Sequence, residues 1–76
     1  MKIIKTHNKV FVVDEINFAE KYGETIEIHY YSGKEYRVNF DGSTVKERKI
    51  QATIFFEELV LKMEEVARRK EVECNV

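Results

Sequence analysis

The sequence predicts an α+β domain: an antiparallel β-meander of four to five strands over about residues 2–40, then one long C-terminal helix packed on one sheet face. Three observations predict it. Up to about Phe40, β-branched and aromatic residues alternate with polar ones between short turn signals. From about Thr44 the chain becomes rich in Ala, Glu, Lys, Leu and Met and contains no glycine. No proline interrupts either half. Strand runs followed by a helical run place the helix against one sheet face. The 76 residues read as a single domain, with no linker, internal repeat or low-complexity stretch.

The first strands are short. Val10-Phe11-Val12-Val13 is a continuous apolar run, and residues 2–6 are its expected partner through His7-Asn8-Lys9. Residues 14–22 fit two patterns. As a helix they offer Asp14 as N-cap, Phe18 and Tyr22 four apart, and Gly23 just past the end. As a strand they alternate Ile16 and Phe18 against Asn17 and Ala19. Nine residues make a poor isolated helix, so the strand is the expectation.

A hairpin is expected around Gly33. Ile26, Ile28 and Tyr30 alternate before it; Tyr36, Val38 and Phe40 alternate after it. Parity chooses the turn. A two-residue Ser32-Gly33 loop sets Ile28 opposite Arg37, apolar against polar, which a buried sheet face forbids. A three-residue loop, Tyr31-Ser32-Gly33, pairs Tyr30 with Lys34, Ile28 with Tyr36 and Ile26 with Val38. Gly33 then takes the left-handed third position of a type I turn with a G1 bulge, where glycine costs least. The same register sets Glu27 opposite Arg37 and His29 opposite Glu35 on the outer face. Each opposite-charge pair contributes about 0.2–1 kcal/mol.

Asp41-Gly42-Ser43 leads into the helix. Thr44-Val45-Lys46-Glu47 fits a capping box, in which the Thr hydroxyl and the Glu carboxylate satisfy each other's backbone amides. That starts the helix near 45; a later start capped by Thr53 is the alternative. Arg68-Arg69-Lys70 suits the negative end of a helix, leaving 71–76 as a tail. From 45 to 70 such a helix runs about 39 Å, against about 20 Å for a six-residue strand. It overhangs its sheet unless it begins late or bends, and overhanging apolar positions need another cover.

At about 100° per residue, Ala52, Phe55, Phe56, Leu59, Val60, Met63, Val66 and Ala67 fall in one sector of about 140°, the stripe that seals a sheet. Ile50, Ile54 and Leu61 fall together on the opposite side. Scattered exposed aliphatics are ordinary. Three in line on the wet face are the pattern of a second contact surface: most simply a two-fold helix–helix dimer, otherwise a surface for a different protein. Burying one aliphatic side chain contributes about 1.5–3 kcal/mol. Six of them across a two-fold axis matter to a domain of total stability about 5–10 kcal/mol.

Composition limits the function classes. A chain this short buries roughly 60% of its unfolded surface, which leaves no room for separate cofactor and substrate domains. Hydrophobic residues at 43% and charged residues at 36% are too apolar for a disordered chain and too charged for a membrane protein. Met1-Lys2-Ile3-Ile4-Lys5 is charged too soon for a signal peptide, and the lone cysteine forms no internal disulfide, so a cytoplasmic domain is expected. A net charge of −1 excludes a broad electrostatic footprint for duplex DNA or anionic lipid.

Catalytic and metal chemistry is not indicated. His7 and His29 are isolated, with neither a CxxC nor an HExxH pattern. Cys74 is the third residue from the end, without a neighbouring base. Glu57-Glu58 and Glu64-Glu65 diverge by about 100° on a helix and form no acid–base dyad. Gly23, Gly33 and Gly42 are scattered turn residues rather than a phosphate loop. No cofactor is expected. A nucleic-acid reading rests on His29, Tyr31 and Arg37 on the outer hairpin face with Lys34 at the turn, and on a second basic cluster, Lys46, Arg48 and Lys49. Glu27 and Glu35 share that sheet face and repel phosphates.

The run Val10-Phe11-Val12-Val13, Ile16, Ile26-Glu27-Ile28 and Ser32-Gly33-Lys34-Glu35-Tyr36-Arg37-Val38-Asn39-Phe40, followed by a Glu-rich helix, resembles small bacterial and phage-borne proteins. In these a β-meander with an (Asn/Ser)-Gly turn precedes one C-terminal helix. The resemblance covers roughly residues 8–66, and residues 43–53 depart from it by lengthening the helix start. It implies a domain encoded near mobile elements and acting by binding, and it transfers no functional residue. The element order is also similar to the small ββββα single-stranded-DNA-binding coactivators, which dimerise through helices, but without their basic sheet face. The expectation is a non-enzymatic interaction module, homodimeric through Ile50, Ile54 and Leu61, that binds another macromolecule. A phage- or mobile-element-encoded modulator of a host protein is the version the resemblance implies. The alternative is a single-stranded nucleic-acid binder using the outer sheet face.

Overall fold

The structure is a computed structural model. It describes residues 1–6 and 8–74, with side chains as far as Arg69. His7, the side chain of Cys74 and the last two residues of the expected tail lie outside the described residues. The chain runs β1 (Ile3–Lys5), β2 (Val10–Val12), a 3₁₀ turn (Val13–Glu15), β3 (Ile16–Tyr22), β4 (Thr25–Tyr30), β5 (Glu35–Asn39) and α1 (Val45–Cys74). This is an α+β fold with the helix packed on the sheet layer.

The strands do not form one continuous meander. β1 and β2 make a two-stranded antiparallel ladder, and β3-β4-β5 make a three-stranded one. The break is the 3₁₀ turn. There the Lys2 amide donates to Asp14 Oδ1 at 2.7 Å, the Val13 amide to the Lys2 carbonyl at 2.9 Å, and the Tyr31 amide to the Glu15 carbonyl at 3.0 Å. These bonds satisfy backbone groups at the corner where the chain leaves one ladder for the other. Asp14 thus ties the turn to the chain start rather than capping a helix. Residues 16–22 are strand.

The β4–β5 hairpin has the register that parity demands: Ile26 faces Val38, Ile28 faces Tyr36, Glu27 faces Arg37 and His29 faces Glu35. The Tyr30 amide reaches the Lys34 carbonyl at 2.9 Å, closing the three-residue loop. Gly33 has φ +93°, the left-handed conformation that glycine adopts without a Cβ clash.

β3 departs from simple alternation. Ile16 faces Tyr30 but Phe18 faces His29, so Asn17 is an extra residue, a β-bulge. One inserted residue reverses the parity of everything after it. Ile16 points into the core, whereas Phe18 points outward, 42% exposed. Phe18 stacks flat on His29, with centroids 4.2 Å apart and planes at 10°.

The helix begins at Val45, not after Thr53. The Glu47 amide donates to the Thr44 hydroxyl at 3.2 Å, the forward half of the capping box. The return half is displaced by one residue: Glu47 Oε2 accepts from the Ser43 amide and hydroxyl, both at 2.8 Å. Thr53 spends its hydroxyl on the Lys49 carbonyl at 2.9 Å, back-bonding within the helix instead of starting one. At the far end the helix continues to Cys74, past the tail boundary expected at 71. Thirty residues span about 45 Å, which accounts for the long dimension of a molecule 50 × 22 × 20 Å in extent.

The core joins both ladders to the helix. Ile4, Phe11, Val13, Ile16, Ile26, Ile28, Val38, Ala52, Phe55, Leu59 and Val66 are buried. Phe11 meets Tyr36 edge-on at 5.9 Å, bringing the first hairpin against β5, and Phe40 meets Phe55 at 5.4 Å. Of the expected helix stripe, Phe56 and Met63 are half-buried, while Val60 and Ala67 are exposed. Those four border a depression along β3, an outer strand of its ladder with no further strand beyond it among the described residues.

Candidate functional site

The helix is fastened to the rest of the chain near both of its ends. Lys62 Nζ donates to the Ile3 carbonyl at 2.8 Å, and Lys2 Nζ pairs with Glu65 at 2.6 Å. These fasten one flank to β1. At the other end of the helix the Arg48 guanidinium bridges Glu24 Oε2 and the Gly42 carbonyl, both at 3.0 Å. With the core face sealed and the ends fastened, the orientation of the remaining face is set.

That face carries Ile50, Ile54 and Leu61, which are 50%, 57% and 61% exposed. Around the first two, Val45, Lys46, Lys49 and Thr53 complete a shallow groove. Val45, in the first helical turn, is also exposed and lines the groove, although its helical position falls within the core sector. Exposed apolar area of this kind, rimmed by charge, is the form of a protein contact surface.

The residues of the nucleic-acid reading do not come together. His29 and Arg37 stand on the outer face of the β3-β4-β5 ladder, while Lys46, Arg48 and Lys49 belong to the helix on its inner side. His29 Nδ1 lies 3.3 Å from Glu35 Oε1, and Arg37 Nε lies 3.3 Å from Glu27 Oε1, so a carboxylate stands beside each of them. Arg48 is committed to Glu24 and Gly42. Tyr31 sits in the hairpin turn and borders a crevice with Asp14, Ile16, Met63 and Val66, away from the outer face where the alternation placed it. Lys34 lies beside Tyr31 on the exposed turn. The aromatic that does join His29 is Phe18. Sequence alternation missed it because the bulge at Asn17 reverses its side.

Three carboxylates sit below their ordinary range, each for a structural reason. Asp14 is lowered first by the Lys2 amide, against a smaller opposing effect of burial. Glu47 is lowered by the Ser43 hydroxyl and amide, and Glu65 by the Lys2 ammonium. All three groups serve the fold. Among the described residues no group of three or more His, Cys, Asp or Glu is placed to hold a metal ion, and no helix is long and apolar enough to cross a membrane.

No family model, curated protein or solved structure matches this chain.

Proposed function

We propose that this protein is a non-enzymatic interaction module that acts in the cytoplasm, self-associates through the outer face of its long helix, and in that form binds another macromolecule. A phage-encoded modulator of a host protein is the concrete version, and it rests on the resemblance of the hairpin and helix pattern. The observation that carries the proposal is the line of Ile50, Ile54 and Leu61, each at least half exposed, on a helix whose opposite face is already sealed. Water contact on three aligned aliphatics costs free energy that a partner recovers at about 25 cal/mol per Å² covered.

Sedimentation equilibrium tests the self-association. The expected outcome is a dimer mass for the native chain at tens of micromolar, and a monomer mass for the Ile54→Glu, Leu61→Glu double variant with an unchanged circular-dichroism spectrum. A monomer mass for the native chain at that concentration overturns the reading. A shift of a labelled single-stranded oligonucleotide at about 50 mM NaCl, where phosphate contacts are strongest, would favour the nucleic-acid alternative.

A further inference from the structure

The charges that border the apolar line are divided unequally between its two flanks. On the flank facing β1, carboxylates already have partners: Glu58 pairs with Lys62 at 3.5 Å and Glu65 with Lys2 at 2.6 Å. On the other flank, Lys46, Lys49, Glu57 and Glu64 have no ion-pair partner among the described residues. Helical spacing puts these four within about 80° of one another, along one side of Ile50, Ile54 and Leu61. The two cations stand toward the helix start and the two anions toward its middle and end.

We infer that a second copy of this chain covers the face in an antiparallel arrangement, with Lys46 against Glu64 of the second copy and Lys49 against its Glu57. The inference rests on the self-association proposed above and adds its direction and register.

The geometry points one way. A two-fold axis perpendicular to the plane of two antiparallel helices keeps each flank facing its own counterpart, and it reverses the order of residues along the axis. The open flank then meets itself head to tail, cations against anions. The midpoints of 46 with 64, 49 with 57, and 50 with 61 all fall between residues 53 and 56, within about one helical turn. One axis therefore serves all three pairs. It passes close to Ile54, so Ile54 meets Ile54 of the second copy, and Ile50 meets Leu61 on either side. A parallel pairing, whose two-fold axis runs along the helices, instead sets this flank against the opposite one, so that Glu57 and Glu64 come nearly level with Glu58 and Glu65 of the second copy, like charge beside like. Opposite-charge complementarity of this kind sets register and suppresses the wrong arrangement more than it adds affinity.

The test separates direction from association. Charge reversal comes first: Lys46→Glu alone, or Glu64→Lys alone, is expected to weaken the dimer about ten-fold. The double variant Lys46→Glu, Glu64→Lys, which restores both 46–64 pairs with their signs inverted, is expected to return within about two-fold of the native constant. Disulfide trapping follows in a Cys74→Ser background. Chains carrying Lys46→Cys mixed with chains carrying Glu64→Cys are expected to cross-link on mild oxidation. Chains carrying Ile50→Cys alone are not, because antiparallel copies hold that position about 15 Å apart along the axis, whereas parallel copies hold it side by side. Efficient cross-linking of the Ile50→Cys chain with itself, while the native chain sediments as a dimer, overturns the antiparallel register and leaves the association standing. A native monomer overturns both.

Discussion

Gly33 is the position where one side chain decides the most backbone geometry. Its φ of +93° lies in the region that L-residues rarely adopt, and nothing stands within 4 Å of where a Cβ would go. A substitution there meets backbone strain without a steric clash. Gly33→Ala is therefore expected to lower the unfolding free energy by about 1–2 kcal/mol, read as a shift in the urea midpoint at unchanged slope. An unaltered midpoint would mean that the turn relaxes to another type. Asp14 makes a second residue-scale argument. Its folded pKa is depressed, so its contribution to stability is fully present above the unfolded value of about 4 and is lost as pH falls through the lower folded value. Asp14→Asn is expected to lower stability near neutral pH and to flatten the acid limb of the stability profile, measured by urea denaturation between about pH 7 and pH 3. Parallel acid limbs for variant and native chain would remove Asp14 from the account.

At the scale of elements, the sequence was legible wherever a pattern ran long enough to have a period. The β4–β5 register follows from side-chain parity, because a slip of one residue exposes Ile26, Ile28 and Val38 together. The start of α1 follows from Thr44, whose hydroxyl caps the helix where the spacing to Glu47 said it would. Two features were not legible. The bulge at Asn17 leaves no periodic signature, since one extra residue makes two correct alternations of opposite phase look like one. The division into two ladders depends on the bonds around Val13–Glu15, and these join Lys2, Asp14, Glu15 and Tyr31, residues far apart in the chain. The outer helix line was readable from spacing alone, whereas its unequal flanks were not. The Glu58–Lys62 pair is ordinary four-residue helical spacing, but whether Glu65 is paired depends on where Lys2 arrives in space.

At the scale of the whole molecule, a domain of 76 residues with a core of this size sits near the lower limit of independent stability. If a second copy covers the helix face, folding and association are linked, and the melting temperature depends on protein concentration. Thermal unfolding followed over about a hundred-fold range of concentration is expected to show a midpoint that climbs by several degrees. The Ile54→Glu, Leu61→Glu variant is expected to melt at one temperature throughout. A concentration-independent native midpoint would separate stability from self-association. Among the described residues, no polar or charged side chain is buried, and no buried side-chain nitrogen or oxygen lacks a partner. The interior is pure hydrocarbon, and hydrocarbon interiors accept volume-matched exchange at small cost. Such a centre carries no message beyond its shape. Whatever identity this small protein presents to its surroundings is written on the rim, where swapping one ammonium for one carboxylate rewrites the address.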